Sequence, residues 1–341
     1  MSAPPARPAA EPSRTARKWR RRAWTLAVLL AVSAVANFVF WSRHDRYYAG
    51  AEPPAERFRD GDRDAEAKIA RIEVIGTISP PFTARTLAAL KRAEEDNGVR
   101  GVLLVVDSPG GLVADSHQIY HRLERLRAKK PVVVSMKRMA ASGGLYVAMG
   151  AGPDGLIFAE PTTWTGSIGV IIPRYDLTGL AEKVGVESDS LQTGELKDSL
   201  NPFRPLSEKE EEVWRVILAD AFDRFVEVID ANRKALDGEK VRALATGQIF
   251  TAGQAAEAGL IDRIGFEEDA LAALRERLDL DRARVVEYEF PTGLLDLLLP
   301  AAEAADPSRR WEAALDRAVP KALYHCGGHS LTGELPLLRF P

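Results

Sequence analysis

Between residues 68 and 290 short apolar runs alternate with stretches whose apolar residues recur at helical spacing. "RIEVIGT" (71–77) predicts a strand, and Phe82 to about Glu95 a helix. "GVLLVVD" (101–107) and "PVVVSM" (131–136) are uninterrupted apolar runs, the pattern of strands buried on both faces. Residues 112–128 predict an amphipathic helix, 143–149 the start of another, Ser207 to about Lys234 a long one, and Arg284–Phe290 a late strand. Along the long helix Trp214, Ile217, Leu218, Ala221, Phe222, Phe225, Val228 and Ile229 form one stripe, which predicts packing. Strand–helix alternation of this kind indicates an α/β fold of βαβ units with right-handed crossovers. No internal repeat of 20–50 residues interrupts it.

The N-terminal pattern differs. Residues 1–22 are rich in Pro, Ala and Arg and predict a disordered basic tail. An uncharged run follows at 23–41, "AWTLAVLLAVSAVANFVFW", with Trp24 and Trp41 at its two ends. At about 1.5 Å per residue such a run crosses a hydrocarbon core of about 30 Å as a helix. Basic residues crowd its N-terminal side, which predicts a cytoplasmic N-terminus and a body on the other side of the membrane. A cleaved signal peptide using the A-x-A at 34–36 is the competing reading; continued hydrophobicity to Trp41 favours an uncleaved anchor. Residues 42–67 are polar with Pro and Gly and predict a linker, so the body begins at 68.

Composition narrows the function. A net charge of −3 supplies no basic surplus for nucleic acid. The only cysteine is Cys326, which excludes an internal disulfide and a thiolate cage, and five scattered histidines argue against zinc. No cofactor or metal is expected. The C-terminal extension, 291–341, holds the apolar "TGLLDLLLPAA" (292–302), predicted as a buried helix, and Cys326 as an incidental terminal group.

The chemistry is carried by two glycine turns, each after a buried strand. "DSPGG" (107–111) opens the helix at 112, and "ASGG" (141–144) opens the helix at 143. Glycine lets main-chain N–H groups approach a ligand, and a helix N-terminus adds positive potential. Donors from two such turns, converging on one oxygen, have the geometry of an oxyanion hole. Ser142 sits at the second turn and needs a base to accept its proton. No histidine occurs from Arg122 to Tyr324, and His117 and His121, at i and i+4 on a charge-rich helix, read as a solvated face. Lysine remains, and spacing alone does not decide between Lys197 and Lys137.

"DSPGG", "MAASGGLYVA" (139–148), "TGSIGVI" (165–171), "TGELKDSLNPFRPLSEKE" (193–210) and "GQIFTAGQAAEAGLID" (247–262) occur in the order and rough spacing of the signal peptide peptidase A family. The chain resembles these membrane-anchored serine proteases of the S49 type over about residues 68–280. The resemblance implies a Clp-protease/crotonase-like fold over 68–290, in the short form with one protease domain. It implies Ser142 as nucleophile, Lys197 as general base, Ser167 as the hydroxyl orienting the lysine, and Gly111 and Gly143 as oxyanion donors. It further implies a homo-oligomeric ring, a base that a neighbouring subunit can supply, and hydrophobic peptide substrates such as remnant signal peptides. The implied location is the bacterial inner membrane, through residues 23–41. Departures from the family pattern are Leu145 where an aromatic is common, Asp107, and extra residues around Gly152–Gly155; they touch pocket shape, not the reacting groups. Two rival functions share the fold: a crotonase-like acyl-CoA enzyme and a catalytically silent peptide-binding scaffold on the membrane. Neither requires Ser142 or Lys197.

Overall fold

The structure, a computed structural model, describes residues 22–35, 37–38, 53–290 and 323–325. The chain divides into two compact units, residues 1–52 and 53–341. In the first, residues 22–35 form helix α1, with Trp24, Leu30 and Val35 exposed. No helix among the described residues is long and apolar enough to cross a membrane. The expected anchor also takes in residues 36 and 39–41, which lie outside the described residues, as do the basic tail to residue 21, the apolar segment 292–302 and Cys326.

Among the described residues, the second unit is built on a nine-stranded sheet and has a second, two-stranded one. Strand β1 (Ala55–Gly61) leads to β2 (Lys68–Ile75), helix α2 (Phe82–Glu95) and β3 (Val99–Ser108). Short β4 (Gly110–Leu112) precedes α3 (Val113–Arg127), β5 (Val132–Ala141) and α4 (Gly143–Ala148). Then come β6 (Leu156–Ala159), β7 (Trp164–Gly166), α5 (Thr178–Val184) and the long α6 (Glu208–Asn232). The order closes with α7 (Gly238–Leu244), β8 (Ile249–Thr251), α8 (Ala252–Glu257), β9 (Arg263–Ile264), α9 (Glu267–Arg277), β10 (Arg284–Glu289) and β11 (Leu323–His325).

Strands pair in the order β1-β10-β2-β3-β5-β6-β9, with β7 joined to β5 and β8. The β10–β2, β2–β3, β3–β5, β5–β6, β6–β9 and β5–β7 pairs are parallel. The β1–β10 and β7–β8 pairs are antiparallel. The apolar run of β3 is buried on both faces, as its pattern predicts. Val102, Leu104 and Val106 join a cluster with Leu90, Ile119 and Tyr146, while Leu103 and Val105 meet Ala270 and Leu274 of α9.

Three expectations are corrected. The end of the stretch read as linker is strand β1: a polar edge strand, exposed at nearly every position, has no apolar alternation to betray it. Its charges pair instead, Arg57 with Glu287 and Lys68 with Glu56. Strand β5 runs on through "KRMAA" to Ala141, because it changes partner after Met136. The α6 stripe packs only in its second half. Phe225, Val228 and Ile229 are buried, but Ile217 is exposed and Trp214 and Leu218 are only half-buried.

Phe225 is the largest side chain that α6 brings to the core, and its ring meets that of Tyr146 edge-on at 5.1 Å. Phe225→Ala is expected to lower unfolding free energy by about 3–5 kcal/mol. In urea this reads as an earlier midpoint at unchanged slope. An unshifted midpoint would disprove the packing role.

Candidate active site

Ser142 is the single residue between the end of β5 and the start of α4. Its main chain is fixed from both sides: the N–H donates to Gly166 O at 2.8 Å, and the C=O accepts from Tyr146 N–H at 2.9 Å. The sharp strand-to-helix reversal forces φ 53° and ψ −114°, a conformation that side-chain-bearing residues rarely adopt. Such strain costs on the order of 1–3 kcal/mol and persists where surrounding structure imposes it. The side chain is 1 % exposed, and Oγ has no hydrogen-bond partner. An unsatisfied buried hydroxyl costs about another 1–3 kcal/mol. Two penalties therefore fall on one small residue, with no compensation to structure in sight.

Helix α4 begins without a side-chain cap, so the N–H groups of its first turn lack intrahelical acceptors. The other glycine turn is pressed against it. Gly110 has φ 99°, and a Cβ on Gly111 would lie 2.0 Å from Ile78 O. A Cβ on Gly143 would lie 2.6 Å from Ser116 Oγ and 3.2 Å from Gly111 N. Main chain meets main chain here, where no side chain could separate them. Ser108 holds the turn, accepting from Gly110 N–H at 3.1 Å and donating to Gly76 O at 2.6 Å.

Ser167 follows β7, whose Gly166 is paired with Ala141, so the two serines lie at the ends of adjacent strands. It too has a positive φ, 50°, and its N–H donates to Gln248 O at 2.6 Å. The fold thus brings together Ser142, Gly143, Gly111 and Ser167. Beneath them Tyr146 OH bonds His117 Nδ1 at 2.7 Å, a tie that the reading of His117 as solvated face did not include. Burial, with Arg224 nearby, pushes this imidazole below its ordinary pKa. No cluster of three or more His, Cys, Asp or Glu able to hold a metal occurs among the described residues.

The lysine is placed elsewhere. Lys197 is exposed in the segment between α5 and α6, where it lines an open cavity with Gly194, Glu195, Leu196 and Lys209. Because Ser142 Oγ has no partner, no hydrogen bond joins the two residues within one chain. The other candidate, Lys137, bonds Glu160 at 2.9 Å and lies 3.1 Å from Glu267. Burial alone would lower its pKa, but those carboxylates outweigh it and raise the value, which makes Lys137 a poor base.

A clip that the sequence reading missed holds the Lys197 segment. Arg204 Nη2 donates to Asp198 O at 2.7 Å and to Glu210 Oε1 at 2.6 Å, tying the residue after Lys197 to the first turn of α6. Ser207 and Glu210 form a capping box there. Its signature, Ser followed three residues later by Glu, was legible in "SEKE".

The chain is 36 % identical over 258 residues to an Enterococcus faecium protein with the provisional name signal peptide peptidase SppA, covering 72 % of this chain and 73 % of that one. The chain belongs to peptidase family S49. The family model for Peptidase family S49 matches residues 124–281, and that for Clp protease matches 65–165. The parallel-rich α/β sheet is consistent with a Clp-protease-like fold. A Synechocystis protein provisionally named a protease is 43 % identical over 67 % of this chain and 81 % of its own length. The chloroplastic serine protease SPPA of Arabidopsis thaliana is 30 % identical over 69 % of this chain and 35 % of its own. As an S49 member the chain is a serine peptidase, acting on peptides.

Arg204 holds the Glu210 carboxyl down to about 2, helped by the Ser207 N–H. A depressed carboxylate stabilises the fold fully above its ordinary 4.5 and stops doing so as pH falls through the folded value. Glu210→Gln is therefore expected to lower the unfolding midpoint at pH 7, with the gap to wild type narrowing from about pH 4.5 towards 2. A gap that is constant with pH would contradict the clip.

Proposed function

We propose that this S49 peptidase cuts peptides with a Ser142–Lys197 dyad. The observation that carries the reading is the strained Ser142, its Oγ buried and unpartnered beside an uncapped helix start. Ser142 Oγ attacks a peptide carbonyl while the neutral amine of Lys197 takes its proton, and the lysine passes that proton to the leaving amine. Water then hydrolyses the acyl-enzyme. The N–H groups of Gly111 and Gly143 hold the oxyanion, worth on the order of 3–4 kcal/mol per donor in comparable sites. Ser167 orients the amine.

The base comes from a second copy of the chain. A lysine becomes a base only after burial or a neighbouring cation strips its proton, and Lys197 is uncovered in the single chain. Apolar side chains on α5, on the same segment and on α6 are exposed as well: Leu180, Leu191, Val216 and Ile217. A head-to-tail ring covers that surface and carries each Lys197 to a neighbour's Ser142. Substrates are extended hydrophobic peptides such as remnant signal peptides. Residues 23–41 anchor the chain in the bacterial inner membrane, with the peptidase domain, from β1 at Ala55 to residue 290, beyond it.

Ser142→Ala and Lys197→Ala are each expected to abolish turnover of a fluorogenic peptide. Mixing the two inactive chains restores about a quarter of wild-type activity under random assembly, because some sites then take Ser from one chain and Lys from another. Full turnover by Ser142→Ala refutes the nucleophile. Inactivity of the mixture, with mixed rings demonstrated, refutes the shared site.

A further inference from the structure

Strands β3 and β5 do not share one register along their length. Val102 pairs with Val132 and Val106 with Met136, but the next pair is Ser108 with Ala140. Asp107 of β3 therefore stands opposite three residues of β5: Lys137, Arg138 and Met139. The excess is two residues, an even number, so side-chain alternation survives the interruption. Met136 and Ala140, on either side of it, belong to one buried cluster.

The interruption decides where the nucleophile's strand ends. Counting on from the Ser108–Ala140 pair, Ser142 comes level with Gly110. An unbroken register would carry it on to Leu112, about 6.6 Å further along the strand. The contacts fit the first position, since a Cβ on Gly143 would lie 3.1 Å from Gly110 Cα and 3.2 Å from Gly111 N.

Asp107 fills the interruption from the β3 side. Its C=O accepts from Gly76 N–H at 2.9 Å. Its carboxylate crosses to β5, where Oδ1 accepts from Met139 N–H at 3.3 Å and Oδ2 from Arg138 Nε at 2.7 Å. A side chain, not the β3 main chain, thus takes the Met139 N–H. From the opposite side Thr163 Oγ1 donates to the main-chain oxygens of Met136 and Lys137.

We infer that Asp107 is a positioning residue for the peptidase reaction: it holds β5 in the shifted register and so sets Ser142 against the Gly110–Gly111 turn. The inference rests on the reading of Ser142 and Gly111 as the reacting site. Asp107 leads directly into the turn that carries the oxyanion donor, and it grips the nucleophile's strand at Met139. One side chain then fixes the spacing between nucleophile and donor. The role requires an acceptor of this length rather than a charge, because Arg138 is 84 % exposed and holds only the outer oxygen. A misplacement of reacting groups by about 1 Å can cost about a hundredfold in rate.

The test compares full-length variants in detergent on a fluorogenic peptide, with kcat and KM resolved and folding followed by circular dichroism. Asp107→Glu keeps the charge but adds a methylene, and Asp107→Ala removes the acceptor. Each is expected to lower kcat about tenfold or more with KM within about twofold of wild type. Asp107→Asn, whose amide oxygen still reaches Met139 N–H, is expected to keep at least about a third of wild-type kcat. Arg138→Ala leaves both constants unchanged. Wild-type kcat in a folded Asp107→Glu or Asp107→Ala, an Asp107→Asn as impaired as these, or a loss confined to KM overturns the inference. Where only one of the Glu and Ala variants folds, that one decides. Unfolding of both overturns the inference too, because Asp107 would then serve stability alone. Ser142→Ala, assayed alongside, keeps the two readings apart. Full turnover there refutes the nucleophile, whereas an inert Ser142→Ala beside an undiminished Asp107→Glu refutes only the positioning role.

Discussion

Strand β5 cannot keep one neighbour along its length, and the site depends on that constraint. Val133 to Met136 pair with β6, after which Met139 to Ala141 pair with β7. Thr163 holds the changeover: its hydroxyl, buried at the start of β7, donates to the main-chain oxygens of Met136 and Lys137. The last residues of β5 therefore run beyond the end of β6, and the chain must reverse at once into α4. That reversal imposes positive φ on Ser142, and the Gly166 main chain fixes it there. A split between neighbouring strands at their carboxyl ends is where parallel α/β sheets commonly hold ligands.

Close main-chain contact does the rest. Gly111 against Ile78, and Gly143 against Ser116 and Gly111, leave no space for a Cβ. The two helix-opening turns approach so closely that donors from both reach one small volume. Ser116 occupies the space beside Gly143 and is itself held, its Oγ donating to Leu112 O at 2.9 Å. The arrangement carries no ionised group at its centre. Its polarity comes from main-chain dipoles and a helix start, which suits stabilising a charge that exists only transiently.

Much of this was legible in the sequence because burial on two faces leaves continuous apolar runs. Strand β3, strand β5 up to Met136, and helix α2 all stand where their patterns place them. The glycine turns were legible too, since only glycine fits a turn such as that at Gly110. Strand β1 escaped because a charged edge strand has no buried face, and β7, β8 and β9 because two or three residues carry no period. The strain at Ser142 had no local signal at all. It arises from the pairing of Ala141 with Gly166, residues 25 positions apart, set by the register of β5 and β7.

The same logic explains why α6 misled. Its stripe is regular over the whole helix, but periodicity reports only that a face is to be covered, not by what. The second half meets Tyr146 and the body of the domain. In the first half Ile217 is exposed and Trp214 and Leu218 are only half-buried, and Lys197 on the adjoining segment that Arg204 clips to it is exposed too. Arg204 bridges Asp198 to Glu210, Trp214 donates to Ser199 and Lys209 pairs with Glu195, so the apolar face and the lysine's segment are tied together. In the shared site proposed above, a neighbouring copy that covers the apolar half of α6 also desolvates Lys197, which couples assembly to activation of the proposed base. The serine, by contrast, is complete within its own chain, strained and buried before any partner arrives.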